Sequence, residues 1–578
     1  MQIRIDKNIP ATMRDGTVLQ SNVYRPEAAG PFPVLLTRTP YGKDMASSFV
    51  VDPVRMAEAG YIVAIQDVRG RFASQGQFGD NECELEDGFD SVEWAAQLPG
   101  SDGQVGMFGA SYYAWTQWAA AMSQPPALKA VVPLIAYADH WEGAAYRAGA
   151  FEWGLMGAWQ MMMAVSDLTR RAATTPEFPR LFAGLFQDLD QLASEGYWEL
   201  PIAEFAPLAK VGMNFLRQHV DHDTYDEFWR NLSFRGRLES LGIPALHIGG
   251  WFDVFAQSTL NSFTEMQRAG QTVRLVMGPW THVNQSAAVG DLVFGSGASL
   301  GLLGLRDDIN SLHKKWFDWH LKGSTAPDIA AFAAEPPVRI FVMGDNRWRF
   351  AATWPLPETE YTPLYLSGNG AANTRSGDGQ LQFTPPTDPS GVHDQFVYDP
   401  ANPVPTTGGN LLLTPDFKTG PQEQTSVETR DDVLVYTGAP LGADVEVTGP
   451  VTAHLWISSS APDTDFVVRL CDVWPDGRSY NVVDGVLRAK FRSSMTTPEP
   501  LTPGAVTAIT VDLWSTSQVF KAGHQIRVVV TSSSFPRWSR NLNTGESSER
   551  TAAGVAAEQM VFHDAAHPSH ILLPIIPR

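Results

Sequence analysis

Gly103-Gln104-Val105-Gly106-Met107-Phe108-Gly109-Ala110-Ser111-Tyr112-Tyr113-Ala114-Trp115 is a short apolar run that ends in Gly-Ala-Ser, and a helix-like apolar pattern begins at once. That is the layout of a nucleophile elbow, in which a serine sits on a sharp turn between a buried strand and a helix. Small residues beside the serine let the two backbones pack closely. The usual pattern is Gly-x-Ser-x-Gly, whereas here the fifth position is Tyr113. A Gly-x-Ser alone is an ordinary turn sequence. The rest of the chain must therefore supply an acid and then a histidine.

Outward from the elbow, strand-like and helix-like stretches alternate. Residues 1–30 read as an opening hairpin about Asp15-Gly16. Pro33-Val34-Leu35-Leu36-Thr37-Arg38 is a strand leading into the loop Thr39-Pro40-Tyr41-Gly42-Lys43. A short helix ends at 56–59, Tyr61-Ile62-Val63-Ala64-Ile65 is a buried strand, and 82–98 is an acidic amphipathic helix. A further strand covers 129–136. From about Tyr137 the rhythm stops, and for roughly a hundred residues the text is helical and rich in Trp, Phe and Met. It resumes with strands at 243–250, 273–278 and 338–343 and helices at 256–269 and 307–322. After Trp354 short alternating strands with Gly, Pro and Asp turns dominate, and the polar segment 367–427 reads as long surface loops. The expected fold is α/β: a mostly parallel, doubly wound sheet over 1–138 and 241–352, an inserted helical cap over 139–240, and a C-terminal β-sandwich or jelly roll over 353–578.

The chain has 578 residues, 44% of them hydrophobic, with 18 Trp, 14 Tyr and 30 Phe, enough for large cores; a length prior allows about four domains. A net charge of −21 argues against nucleic acid and anionic membrane surfaces, which select cationic patches. Cys83 and Cys471 are the two cysteines, expected to be reduced and buried. The first residues lack an apolar signal core, and no run approaches the ~20 apolar residues of a membrane span. A soluble, cytoplasmic protein is expected.

Asp253 follows the strand 243–248, and His282 follows the strand 273–277. Both therefore stand, as Ser111 does, at the carboxyl edge of the sheet, where loops build active sites. The chain order Ser, Asp, His is that of α/β-hydrolases. The chemistry needs these three types. A serine hydroxyl requires a base, a histidine titrates near working pH, and a buried carboxylate fixes its tautomer. Each has a plainer reading: Asp253 as a cap of the helix near 256, His282 as a loop histidine. The tetrahedral oxyanion needs two donors. One is the Tyr112 backbone N–H. No His-Gly-Gly-Gly run supplies the second, and Tyr41 after the strand 33–38 is either that donor or a packed loop aromatic.

These pieces, together with Met13-Arg14-Asp15-Gly16, Gln66-Asp67-Val68-Arg69-Gly70, Gly250-Trp251-Phe252-Asp253, Gly278-Pro279-Trp280-Thr281-His282 and His567-Pro568-Ser569-His570, run nearly the whole length. The sequence resembles the serine-hydrolase family of bacterial cocaine esterases, X-prolyl dipeptidyl peptidases and α-amino acid ester hydrolases. The resemblance implies a triad of Ser111, Asp253 and His282, and an oxyanion hole of Tyr41 and the Tyr112 N–H. It also implies a pocket walled by the cap and the jelly roll. Trp159, Phe255, Leu412 and Leu413 stand at matching pocket positions, the last being aromatic in the esterases. The ester hydrolases of α-amino acids hold an ammonium with carboxylates, two of which fall at Phe255 and Ala256 here. Asp139 supplies at most one, which favours a neutral, apolar acyl group.

The expected function is a carboxylesterase acting on small-molecule esters, with no cofactor and no metal. An X-prolyl dipeptidyl peptidase or amidase/acylase of the same family is the alternative, and a carbohydrate-binding role for 355–578 is a third reading. A homodimer through jelly-roll edge strands or the cap is compatible with family analogy. His219-Val220-Asp221-His222-Asp223 reads as a surface loop rather than a metal site, and His563, His567 and His570 as packing groups. Asp67 and Arg69 are expected to form an ion pair or loop brace.

Overall fold

A computed structural model describes residues 2–45, 51–79, 83–387 and 391–578. The chain opens with a hairpin, β1 (Ile3–Thr12) and β2 (Val18–Pro26), turned at Gly16 with φ 86°. Then come β3 (Phe32–Thr39), α1 (Pro53–Glu58), β4 (Ile62–Asp67), α2 (Glu84–Ala96), β5 (Ser101–Ala110), α3 (Tyr112–Met122) and β6 (Leu128–Leu134). Two two-residue strands, β7 (Tyr146–Arg147) and β8 (Ala150–Phe151), lead into five helices: α4 (Trp153–Arg170), α5 (Phe178–Asp190), α6 (Ala206–Lys210), α7 (Phe215–Asp221) and α8 (Glu227–Asn231). The sheet resumes with β9 (Ala245–Phe252), α9 (Ala256–Arg268) and β10 (Val273–Thr281). A small hairpin β11 (Ala288–Val289) and β12 (Leu292–Val293) follows, then α10 (Ile309–His320), α11 (Pro327–Ala334), β13 (Val338–Val342) and β14 (Arg347–Ala351).

The ten strands of this sheet run in the order β1-β2-β4-β3-β5-β6-β9-β10-β13-β14. From β4 to β13 every neighbouring pair is parallel, while β1, β2 and β14 close the edges antiparallel. Helices cover both faces, so the parallel strands are buried on both sides. That is why β4 and β9 are buried at every position and do not alternate, β4 opening on Ile62-Val63-Ala64-Ile65 and β9 broken only by His247. This is a doubly wound α/β-hydrolase sheet with a helical insertion between β6 and β9.

The C-terminal part is β-rich: β15 (Glu360–Ser367), β16 (Gln380–Gln382), β17 (His393–Tyr398), α12 (Thr425–Glu428), β18 (Leu434–Gly438), β19 (Val445–Ser459), β20 (Asp465–Val473), β21 (Ser479–Arg488), β22 (Thr507–Phe520), β23 (Gln525–Thr531), β24 (Ala557–Phe562) and β25 (His570–Ile576). They form one 11-stranded sheet of jelly-roll type. The long β19 pairs with β22, β24 and β25. Its register shifts near Pro450, a residue with no N–H for the ladder. Leu364, Phe396, Val447, Leu455, Val468, Val528 and Ile571 form its core.

Segment 367–427 does not read in the structure as surface loops. It contains β16, β17 and α12, and Ala372, Phe396, Tyr398, Val404 and Leu411 are buried. Its polar composition hides this because much of its burial is against distant chain: Thr406 N–H donates to the Phe535 carbonyl and Phe535 N–H to that of Val404. The cap and the jelly roll are joined through buried polar contacts. Arg147 stacks on Trp514 at 3.6 Å and donates to the Asp484 carbonyl, and Trp538 Nε1 donates to Glu152 at 2.9 Å. Among the described residues no helix is long and apolar enough to cross a membrane.

One of the two thiols differs from expectation. Cys471 is buried, and burial raises its pKa, but Cys83 is exposed at the N-cap of α2.

Candidate active site

Ser111 is the turn between β5 and α3. Its φ of 59° and ψ of −124° lie where side-chain-bearing residues are strained, and its N–H is held by the Leu134 carbonyl of β6 at 3.0 Å. Gly109 explains how the turn closes. A Cβ added there would stand 2.4 Å from Tyr113 Cβ. The close approach is thus taken entirely at Gly109, and the fifth motif position can carry a tyrosine. The Tyr113 ring packs edge-on against Tyr41, centroids 5.5 Å apart.

Asp253 and His282 are brought together by an irregularity between β9 and β10. Gly278 pairs with Gly250, but Thr281 pairs with Phe252, so one extra residue bulges from β10. Gly250 makes room for it, since a Cβ there would lie 2.3 Å from the Trp280 carbonyl oxygen. The bulge sets His282 beside Asp253, with Nδ1 2.9 Å from Asp253 Oδ2 and Nε2 3.0 Å from Ser111 Oγ. Asp253 is fully buried and His282 nearly so. Asp253 Oδ1 accepts the Phe255 N–H at 2.5 Å, so one carboxylate both steadies the start of α9 and faces the histidine. With Asp253 ionised, Nδ1 carries the imidazole proton and Nε2 accepts from the Ser111 hydroxyl. Gln285 Nε2 ties down the loop by donating to the carbonyls of His282 (2.8 Å) and Thr281 (3.1 Å).

Tyr112 occupies the first position of α3, where backbone N–H groups have no carbonyl of their own helix to bond. Its phenol donates to Glu84 Oε1 at 3.1 Å, and Glu84 is paired with the buried Arg38. Burial raises the Glu84 pKa, against the pull of Arg38. Tyr41 lies in the loop after β3, with its N–H on Thr39 Oγ1, and its phenolic oxygen accepts the Trp159 Nε1–H at 3.1 Å.

Asp67 and Arg69 do not pair with each other. Asp67 accepts the N–H groups of Lys43 (2.6 Å) and Ala73 (3.3 Å) and lies 3.3 Å from Lys43 Nζ. It braces the Tyr41 loop from below. Arg69 instead joins Asp87 and Asp15, each at 2.6 Å. The two side chains sit two residues apart at a strand end and go to different partners.

The other pocket candidates are distributed as follows. Phe255 stands edge-on to the His282 ring, centroids 5.2 Å apart. Trp159 reaches Tyr41 from α4. Leu413 fills the space over Gly154 on the same helix, where a Cβ would meet Leu413 Cδ2 at 2.6 Å. Leu412 packs against the same hydrophobic cluster as Trp159 and Phe255. Asp139 is buried and accepts the N–H groups of Trp141 (3.0 Å) and Glu142 (3.4 Å). Burial lifts its pKa to about 6, and burial beside Asp139 lifts that of Glu142 to about 7.

The 219–223 stretch is not a surface loop: residues through Asp221 belong to α7, and His219 is buried, 3.3 Å from Gln160 Nε2. His222 pairs with Asp226. His563 contacts Asp394 and His567 contacts Asp564, while His570 Nδ1 bonds the Pro568 carbonyl. Among the described residues no group of three or more His, Cys, Asp or Glu is arranged to hold a metal ion.

Three contributors escape a reading of the sequence: the Gly250 clearance, the Arg38–Glu84 support of Tyr112, and Asn410, whose side chain donates to backbone carbonyls on either side of Phe252. Only the Gly-Gly pair at 249–250 carries a local signal.

Comparison with known proteins agrees with this architecture. Residues 15–284 match the model of the X-Pro dipeptidyl-peptidase (S15 family), and residues 330–572 match the X-Pro dipeptidyl-peptidase C-terminal non-catalytic domain. The chain is 40% identical to a cocaine esterase from a Rhodococcus species over 99% of both chains. Among solved structures it resembles an α-amino acid ester hydrolase, with a TM-score of 0.81 and 25% identity, covering 99% of this chain and 96% of that one. It also resembles an aminopeptidase from a marine sediment Thaumarchaeota archaeon, with a TM-score of 0.80 and 25% identity, covering 100% and 96%. The chain belongs to the serine-hydrolase family of cocaine esterase and the X-Pro dipeptidyl-peptidases.

Proposed function

We propose that this member of the family is a serine carboxylic-ester hydrolase that works through an acyl-enzyme at Ser111. The observation that carries the reading is the continuous hydrogen-bonded chain Ser111 Oγ, His282 Nε2, His282 Nδ1, Asp253 Oδ2. In the first half-reaction Ser111 Oγ bonds to the ester carbonyl carbon while His282 takes the hydroxyl proton. Asp253 stabilises the imidazolium that results. The Tyr41 hydroxyl and the Tyr112 N–H receive the oxyanion. The C–O bond to the alcohol then breaks, and His282 returns its proton to that oxygen. In the second half water loses a proton to His282, attacks the acyl carbonyl, and Ser111 leaves protonated.

The substrate class follows from the apolar surroundings. Trp159, Phe255, Leu412 and Leu413 offer no charge to an acyl group, and the relative at 40% identity is named for an ester substrate. Neutral acyl groups, aliphatic or aromatic, fit this setting. A second reading, cleavage of amides or peptides, is favoured by the aminopeptidase likeness and the peptidase family model. Against it, a free amino terminus needs an available carboxylate, and Asp139 is buried and bonded to backbone N–H groups.

A p-nitrophenyl ester panel from butyrate to benzoate, run beside Gly-Pro-anilide and an aryl amide, separates the two. A stoichiometric burst of nitrophenol with little amide turnover supports the esterase. Amide turnover exceeding ester turnover would replace it with the second reading.

A further inference from the structure

Asn410 lies in the connection between β17 and α12 of the C-terminal domain, yet its side chain ends at the backbone of the catalytic loop. Its Nδ2 donates to the Trp251 carbonyl at 2.6 Å and to the Asp253 carbonyl at 3.1 Å. The residue is almost completely buried. Its orientation is forced by chemistry, because a flipped amide would set its own oxygen against two carbonyl oxygens. The correctly placed amide leaves Oδ1 buried without a hydrogen-bond partner. An unpartnered buried acceptor is costly. An apolar side chain here would avoid that cost, so the gain from asparagine lies in the donor group.

The surrounding loop is built to bring that donor in. Gly409, at φ 100°, exchanges backbone hydrogen bonds with Gly420 at 2.7 and 3.0 Å. Gly420 in turn lies against the strand end that carries the histidine, since a Cβ there would be 3.3 Å from Thr281 Cγ2. One loop of the C-terminal part thus touches the backbone of Asp253 and the residue before His282. The Asp253 carbonyl also accepts the Ala256 N–H at 3.1 Å in the first turn region of α9, so Asn410 shares an oxygen with the helix that follows.

We infer that Asn410 is a positioning residue for Asp253, through which the C-terminal domain sets the carboxylate against the His282 imidazole. This rests on the reading of Ser111, His282 and Asp253 as a triad. Without the two hydrogen bonds, the turn 251–253 loses its restraint on the side away from the sheet. The Asp253 carboxylate then departs from the Nδ1 geometry, and the imidazolium formed in the transition state loses stabilisation. Small displacements of a catalytic group are enough to cost about 10²-fold in rate.

The test uses the full-length chain with Asn410→Ala, Asn410→Ser and, as a control, Asp253→Asn. The readouts are kcat, KM and the pH profile of kcat/KM on a p-nitrophenyl ester, the downfield imidazole N–H proton resonance, and the thermal midpoint. We expect Asn410→Ala to lower kcat about 100-fold with KM within about threefold. The pH profile of its kcat/KM should depart from that of the wild type, because the contact between the Asp253 carboxylate and the His282 imidazole is loosened. The downfield resonance should broaden or vanish. Asn410→Ser, which keeps one donor, should fall between; it carries the same test if the alanine variant does not fold. Folded variants with unchanged kcat, pH profile and imidazole resonance would overturn the inference. A loss of thermal stability with the pH profile intact would also overturn it, leaving Asn410 a purely structural contact. If Asp253→Asn itself keeps full turnover, the triad reading fails, whatever Asn410 does.

Discussion

The indole Nε1 of Trp159 donates to the phenolic oxygen of Tyr41 at 3.1 Å, joining the cap to the loop after β3. An indole N–H can only donate, so Tyr41 must accept there, and its own proton is directed to another acceptor. In the proposed reaction that acceptor is the oxyanion. Tyr41→Phe should lower kcat by about 10²–10³ with little change in KM, the usual cost of one oxyanion donor. Trp159→Phe keeps an aromatic wall but leaves the phenol unaligned, and a fall of roughly tenfold in kcat is expected. Steady-state kinetics on one activated ester measures both.

Ser111 presents its half-buried hydroxyl from a backbone in a strained region, φ 59° and ψ −124°. Strain of this kind costs of order 1–3 kcal/mol for a residue with a Cβ and little for glycine. Ser111→Ala and Ser111→Gly should both lose turnover. The glycine variant should unfold with a free energy about 1 kcal/mol higher than the alanine variant. Denaturant unfolding of the pair checks this, and equal stabilities would mean that the turn is not strained.

His247 in β9 is buried between Trp118 and Phe263, and neither ring nitrogen has a hydrogen-bond partner. Burial pushes its pKa down from 6.5 to about 3. The folded-state value is depressed, so the unfolded chain takes up the proton first as pH falls. Stability is intact above about pH 6.5 and is lost progressively down to about pH 3. At pH 5 this single group costs about 2 kcal/mol. His247→Leu should therefore raise the thermal midpoint more at pH 5 than at pH 8. An equal shift at both pH values would contradict the assignment.

Arg38 is fully buried, paired with Glu84 and bonded to Gln66 Oε1 at 2.9 Å. Removing one member of a buried pair strands the other charge, at a cost of about 3–5 kcal/mol. Arg38→Met should destabilise by that amount, and adding Glu84→Gln should recover part of it. Chemical denaturation of the two single variants and the double variant decides. Additive losses would show that the two side chains are not coupled.

The elbow and the loops of Asp253 and His282 were legible because each is local: an apolar run, a turn, and a reactive residue at the carboxyl edge of a parallel sheet. Tyr41 was legible as a position but not in its bonding, because Trp159 lies 118 residues away. Segment 367–427 misled because Gly, Pro and Thr read as loop by composition, while burial of Leu411 and Val404 depends on other parts of the chain. Nearness in sequence points Arg69 to Asp67, but Asp87 on α2 and Asp15 in the opening hairpin are its partners. Residue type alone places Cys83 inside. It sits where α2 begins, and its side chain faces outward.

In the proposed reaction Ser111 forms the covalent bond to substrate. The direct measurement is intact-mass and peptide mapping after rapid quenching with a p-nitrophenyl ester, together with labelling by a fluorophosphonate. One acyl group and one phosphonyl group are expected, both on the peptide containing Ser111. The labels and the nitrophenol burst should both be lost in Ser111→Ala. A label on another residue, or an undiminished burst in Ser111→Ala, would contradict this role of Ser111.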